Sequence, residues 1–176
     1  SWLAHNVAYD ARFSVLAAYN RGVLLEALQR FQPPEGLVRF ARTVRRHRLV
    51  AVVGAMGTGK TTLATALCRA ELLPEPEAEE TPFVCAVVQL NDALWGSGTS
   101  VQLITDQLNT HLPGFSEART RYLDKVPPAE RVLLPSTVAD IAGPLTLMEP
   151  REPVRIVVDG LDQVYPANRR RLIEEL

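Results

Sequence analysis

Gly54-Ala55-Met56-Gly57-Thr58-Gly59-Lys60-Thr61 is the stretch on which the fold turns. It has the G-x-x-x-x-G-K-[ST] spacing of a loop that cradles phosphates. Its flanks have the character such a loop requires. Arg48-Leu49-Val50-Ala51-Val52-Val53 is a short apolar run rich in β-branched residues, which predicts a buried parallel strand. Thr62–Ala70 is rich in helix formers and sets Leu63, Ala66, Leu67 and Ala70 on one helical face. Strand, glycine loop and helix follow one another in the order the motif needs.

The residue types fit the chemistry. A loop that wraps a polyphosphate must bring its backbone N–H groups close to it. Gly54, Gly57 and Gly59 remove side chains from that approach and permit positive φ. The helix that starts near Lys60 aims unpaired N–H groups and the positive end of its dipole the same way. Lys60 is expected to reach the β- and γ-phosphates as a point charge, the Thr61 hydroxyl to ligate Mg²⁺, and Thr62 to donate near the α-phosphate. Ala55, Met56 and Thr58 complete the candidate nucleotide-binding set through their place in the loop. The chain has 17 arginines and two lysines, Lys60 and Lys125, so the arginine bias spares the position where a flexible ammonium serves best.

With 176 residues, 47% apolar content and a net charge of −1, the chain suits one domain with a real core and lacks the basic excess of a nucleic-acid binder. It has no apolar run of the ~18 residues a membrane helix needs and no signal-peptide pattern, so a cytoplasmic protein is expected. Cys68 and Cys85 read as buried thiols rather than a disulfide, and His5, His47 and His111 have no metal-ligand spacing. Ser1 is not an initiator methionine and Arg169–Leu176 stops within a helical pattern, so an excerpt of a longer protein is expected.

Along the chain, the patterns predict helix over 8–31, a turn at Pro33–Gly36 and a short helix with a basic end over Leu37–Arg46. An acidic, proline-rich connector follows at Pro74–Pro82, then a second buried strand at Phe83–Leu90. Val101–Leu112 is predicted as an amphipathic helix facing inward through Val101, Ile104, Leu108 and Leu112, ended by Pro113-Gly114. Residues 115–135 read as mixed. Ser136–Leu147 is a helix candidate weakened by Gly143-Pro144, and Pro166–Leu176 is a helix.

Val154-Arg155-Ile156-Val157-Val158-Asp159 predicts a third buried strand, ending in an acid about 100 residues beyond the loop. That is the second signature of a P-loop nucleoside triphosphatase, in which the strand delivers Asp159 to the Mg²⁺. Asp92 is a competing acid, at the end of a less apolar strand. The order of strands suits a sheet in which a further strand lies between the loop strand and the acidic strand.

The string Ile156-Val157-Val158-Asp159-Gly160-Leu161-Asp162-Gln163-Val164 resembles the D-G-x-D-[E/Q] variant of STAND-type NTPases, including the NACHT-like branch, relatives of AAA+ ATPases. The helix followed by Leu112-Pro113-Gly114 is similar to that family too, and Tyr19–Leu28 loosely resembles its entry segment, with Asn20 where the family has glycine. The resemblance covers residues 19–176. It implies ATP (or ADP) and Mg²⁺ binding, slow hydrolysis, and a switch coupled to assembly or signalling. It also implies that Asp162 helps orient the attacking water. Gln163 stands where a glutamate is frequent, and an amide positions water without accepting its proton.

The expected fold is thus a three-layer α/β/α P-loop NTPase with a mainly parallel sheet, truncated at its C-terminal end. A helical extension, residues 1–18, precedes the domain at 19–176. The expected function is an ATP·Mg-binding switch with weak ATPase activity. Asp159 and Asp162 carry the chemistry, Thr61 and Asp159 hold the metal, and self-assembly or protein partners act through regions outside this sequence. Two alternatives stay open at this point. One is a nucleotide-binding interaction module without turnover. The other is a P-loop small-molecule kinase with Arg119, Arg121 and Arg131 on a lid.

Overall fold

The structure is a computed structural model that describes residues 22, 26, 32, 36–67, 84–90, 99–148, 153–166 and 168. Apart from Gly22 and Glu26, which are helical, the expected helix at 8–31 lies outside the described residues, as do the connector at 74–82, Cys68, Asp92 and most of the expected helix from Pro166. The chain divides into two compact units, 1–84 and 85–176.

In the first unit, α1 (Leu37–Arg46) forms as its sequence predicts. Leu37 and Ala41, four apart, are its buried residues. Phe40 N–H donates to Gly36 O at 2.9 Å at the start, and His47 N–H to Thr43 O at 3.2 Å at the end. Arg45 and Arg46 sit in the last turn, where the helix dipole favours cations. The glycine loop leads into α2 (Lys60–Ala66), whose Thr65 and Ala66 are buried.

The run at 48–53 departs from expectation. It was expected to be a buried strand, yet it belongs to no strand, and Leu49 and Val53 are 88% and 91% exposed. No backbone hydrogen bond joins it to another described segment. The physical reason is that a strand is a property of a pair. Its backbone groups need a neighbouring ladder, and apolar, β-branched composition records a capacity for burial without supplying the partner.

The second unit is built around two parallel strands, β1 (Ala86–Gln89) and β2 (Ile156–Asp159), which pair in register as Ala86↔Ile156 through Gln89↔Asp159. β1 is fully buried, whereas β2 is half-buried rather than fully buried as its sequence suggests. Between them run α3 (Thr99–His111), α4 (Phe115–Lys125), α5 (Pro128–Arg131), a π-helical segment (Val138–Ala142) and α6 (Gly143–Thr146). Such a long connection is what parallel strands demand, since a tight turn joins only antiparallel ones.

α3 packs on β1. Val101, Ile104, Leu108 and Leu112 are buried, as predicted, but so are Leu103, Thr105, Gln107 and His111, so the helix is covered on more than one side. Gln107 explains how a polar residue survives there. Its Nε2 donates to Val87 O at 2.9 Å and Leu103 O at 3.0 Å, and its Oε1 accepts from Val87 N–H at 3.1 Å. Leu90 N–H points at Asp159 O, 2.7 Å away. Alternation along β1 therefore turns the Val87 groups toward the edge opposite β2. The Gln107 amide pairs with that edge at Val87 as a strand would.

Residues 115–125, read as mixed from sequence, form a regular helix. Its buried contacts are few, Phe115 and Ala118, and its other positions are mostly charged, so the apolar stripe is too sparse to stand out. The Gly143-Pro144 pair does not stop the following helix. Gly143 N–H bonds to Val138 O, five residues back, so the chain passes into a wider turn just before the proline that has no N–H to give. Gly143 is also where the Tyr122 ring packs, leaving no room for a Cβ. Arg119 adds a polar tie to this segment through Nε at 2.9 Å and Nη2 at 2.5 Å, both to Asp140 Oδ1.

Candidate functional site

The first unit carries the glycine loop. Gly57 (φ 79°) and Gly59 (φ 82°) both take the left-handed conformation that side chains disfavour, which accounts for glycine at these two positions. Gly54 is required for a different reason. A Cβ there would lie 2.8 Å from Thr58 Oγ1. Thr58 folds its hydroxyl back onto Ala55 O at 2.8 Å, and Lys60 Nζ donates to Gly54 O at 2.8 Å and Ala55 O at 2.9 Å. Met56 projects its side chain outward, 95% exposed. Thr61 and Thr62 occupy the first turn of α2, half-buried, and Leu63 N–H closes that turn onto Gly59 O at 2.8 Å. All nine loop residues named from sequence, Gly54 through Thr62, thus form one continuous local structure.

The second unit carries the acids. Asp159 is the last residue of β2, half-buried, with its Oδ2 buried and without a hydrogen-bond partner among the described residues. A buried carboxylate oxygen left unpaired among the described residues is open to a ligand. That donor chemistry, a hard anionic oxygen at a strand end, suits Mg²⁺ or a water bound to it. Gly160 follows in the left-handed region (φ 79°), where a Cβ would lie 2.5 Å from Gln89 Nε2 and 2.6 Å from Leu90 O. The chain needs glycine here both to turn and to pass beside the end of β1. Asp162 and Gln163 then sit exposed on a 3-10 turn, Leu161–Gln163.

Sequence reasoning passed over Gln89. It is 5% exposed and stands in register with Asp159, with its amide against Gly160. The available signal was a lone glutamine inside the apolar run Val87-Val88-Gln89-Leu90. Among the described residues there is no cluster of three or more His, Cys, Asp or Glu that would hold a metal, and no helix long and apolar enough to cross a membrane. Cys85 and His111 are buried, and His47 is exposed.

The first unit thus holds a glycine loop with its lysine folded onto it, and the second a parallel strand ending in a carboxylate whose Oδ2 has no hydrogen-bond partner among the described residues. The AAA ATPase domain matches residues 35–176, most of the chain. The chain belongs to the AAA ATPase domain family. No curated protein and no solved structure matches it. As an AAA ATPase domain it is a nucleotide-binding P-loop NTPase with an α/β fold, of which the described residues show the helices and one parallel strand pair.

Proposed function

We propose that this AAA ATPase domain is an ATP·Mg-binding switch of the STAND type with slow hydrolysis. The observation that carries the reading is the loop itself. Two left-handed glycines shape it, and the Lys60 ammonium lies over its opening carbonyls, where it can turn to phosphate without refolding. Lys60 would meet the β- and γ-phosphates, and backbone N–H groups from Gly54 to Thr62 would meet the remaining oxygens.

The Thr61 hydroxyl and the Asp159 carboxylate are the groups that would hold Mg²⁺, and the orphaned Asp159 Oδ2 supports that role. Mg²⁺, when bound, neutralises charge on the β- and γ-phosphate oxygens. Asp162, exposed on the turn after Gly160, would accept or orient a proton of the attacking water. Gln163 orients water but takes no proton, which supports slow rather than brisk turnover. The STAND assignment, and with it the link to assembly or signalling, rests on the Asp159-Gly160-Leu161-Asp162-Gln163 string.

The same glutamine favours a second reading, a nucleotide-binding interaction module without turnover. Single-turnover hydrolysis measured on the parent protein separates the two. Of the three arginines the kinase reading would put on a lid, Arg119 is paired with Asp140 here.

Lys60→Ala tests the site. Each charge-assisted hydrogen bond contributes about 1.5–3 kcal/mol, so loss of the ammonium is expected to weaken ATP binding about a hundredfold. The fold should survive, because among the described residues Lys60 bonds only to exposed loop carbonyls. Fluorescent ATP titration with a circular dichroism control measures both. Unchanged affinity with an intact spectrum would remove Lys60 from the site.

A further inference from the structure

Three donor groups converge on one carbonyl in the glycine loop. Ala55 O accepts from Lys60 Nζ at 2.9 Å and from Thr58 Oγ1 at 2.8 Å, and Thr58 N–H approaches it at 3.4 Å. A carbonyl oxygen offers two lone pairs, so the ammonium and the hydroxyl are its principal partners and the amide contact is long. Gly54 completes the arrangement, since only the absence of a Cβ leaves space for the Thr58 hydroxyl.

We propose that Thr58 is a positioning residue that acts through Lys60. Its hydroxyl keeps the Ala55 carbonyl occupied and the 55–58 turn closed while the ammonium turns from the loop to the β- and γ-phosphates. The inference rests on the nucleotide-binding reading above. Without the hydroxyl, the ammonium is the main partner of Ala55 O. Transferring it to phosphate then leaves that oxygen to water and holds the turn by the long amide contact alone. The loop is pulled two ways, and part of the phosphate-binding energy goes into reopening it. The bonds involved are exposed, so water recovers part of the loss. The effect is therefore a matter of several-fold, well short of that of removing Lys60.

Shape and hydrogen bonding separate cleanly at this position. Thr58→Val keeps the branched side chain and loses the donor; Thr58→Ser keeps the donor and loses the methyl. Titration of the full chain with fluorescent ATP in Mg²⁺ is expected to show Thr58→Val binding about fivefold more weakly, and Thr58→Ser recovering to within about twofold of the parent. A purely steric role reverses that order, with serine the weaker variant. Thr58→Val binding as tightly as the parent would overturn the proposal. If Thr58→Val melts early, Thr58→Ala against Thr58→Ser applies the same criterion at a temperature where both are folded. A parent protein that binds no nucleotide sinks the nucleotide reading itself, whereas a parent that binds alongside an indifferent valine variant sinks the Thr58 role alone.

Discussion

The glycine loop and the end of the β1–β2 pair are built by opposite means. In the loop, every side-chain bond is short in sequence. Thr58 reaches back three residues, Lys60 five and six, and all of these groups are exposed. At the sheet, Gln107 reaches 20 residues back to a buried strand, and Gln89 stands in register with Asp159 from the far side of a long helical connection. Local bonds to exposed carbonyls shape a loop that can yield to a ligand, because water replaces what is given up. Long-range bonds in a dry interior hold β1, the strand beside the one that ends in Asp159, because water does not replace them. Substitutions in the loop should therefore change binding and spare stability, and substitutions behind Asp159 should do the reverse.

The largest expected effect comes from the exposed turn between these extremes. Asp162→Asn should lower ATP hydrolysis by about 10²–10⁴-fold, the usual worth of a positioned general base, while ATP·Mg²⁺ affinity stays near that of the parent. Hydrolysis at the parent rate with a lower melting temperature would instead make Asp162 a brace of the 3-10 turn. It would also put Asp162 on the structural side of the comparison.

Gln107→Leu probes the dry side. It fills the same space but strips Val87 N–H and C=O of their side-chain partners inside the core. Each lost hydrogen bond costs about 0.5–1.5 kcal/mol, so a loss of about 2 kcal/mol and a fall in Tm of about 4–8 °C are expected. Thermal denaturation measures the fall, and ATP titration of the folded variant should show unchanged affinity. A variant as stable as the parent would mean that the Val87 groups do not depend on Gln107.

The smallest effect sharpens the point about burial. The Arg119–Asp140 pair also spans a long sequence separation, 21 residues, but its side chains are 36% and 27% exposed. Solvent screening leaves such pairs about 0.2–1 kcal/mol. Arg119→Met should lower Tm by no more than about 3 °C. A drop as large as that of Gln107→Leu would show that sequence separation rather than burial sets the energy.

Much of the candidate site's local structure was legible because its determinants are local. The Gly54–Thr61 pattern encodes a loop whose glycine conformations and lysine contacts arise within eight residues. The apolar run into Asp159 and the periodic face of α3 were legible for the same reason, since composition and spacing alone report them. The helix at 115–125 was not, because a single packed face with few apolar residues leaves little periodic signal.

The sequence by itself determined the glycine loop, the acid that ends β2 and the helix that follows β1, because each is written in residue type and short spacing. Only the tertiary structure decided which strands pair. It set Gln89 beside Asp159, brought the Gln107 amide to the edge of β1 away from β2, and pressed Gly160 against Leu90. It also left the run at 48–53 exposed despite its strand-like composition. Pairing, edge closure and close backbone approach depend on what the rest of the chain brings alongside, and a residue's own neighbours in sequence carry no record of that.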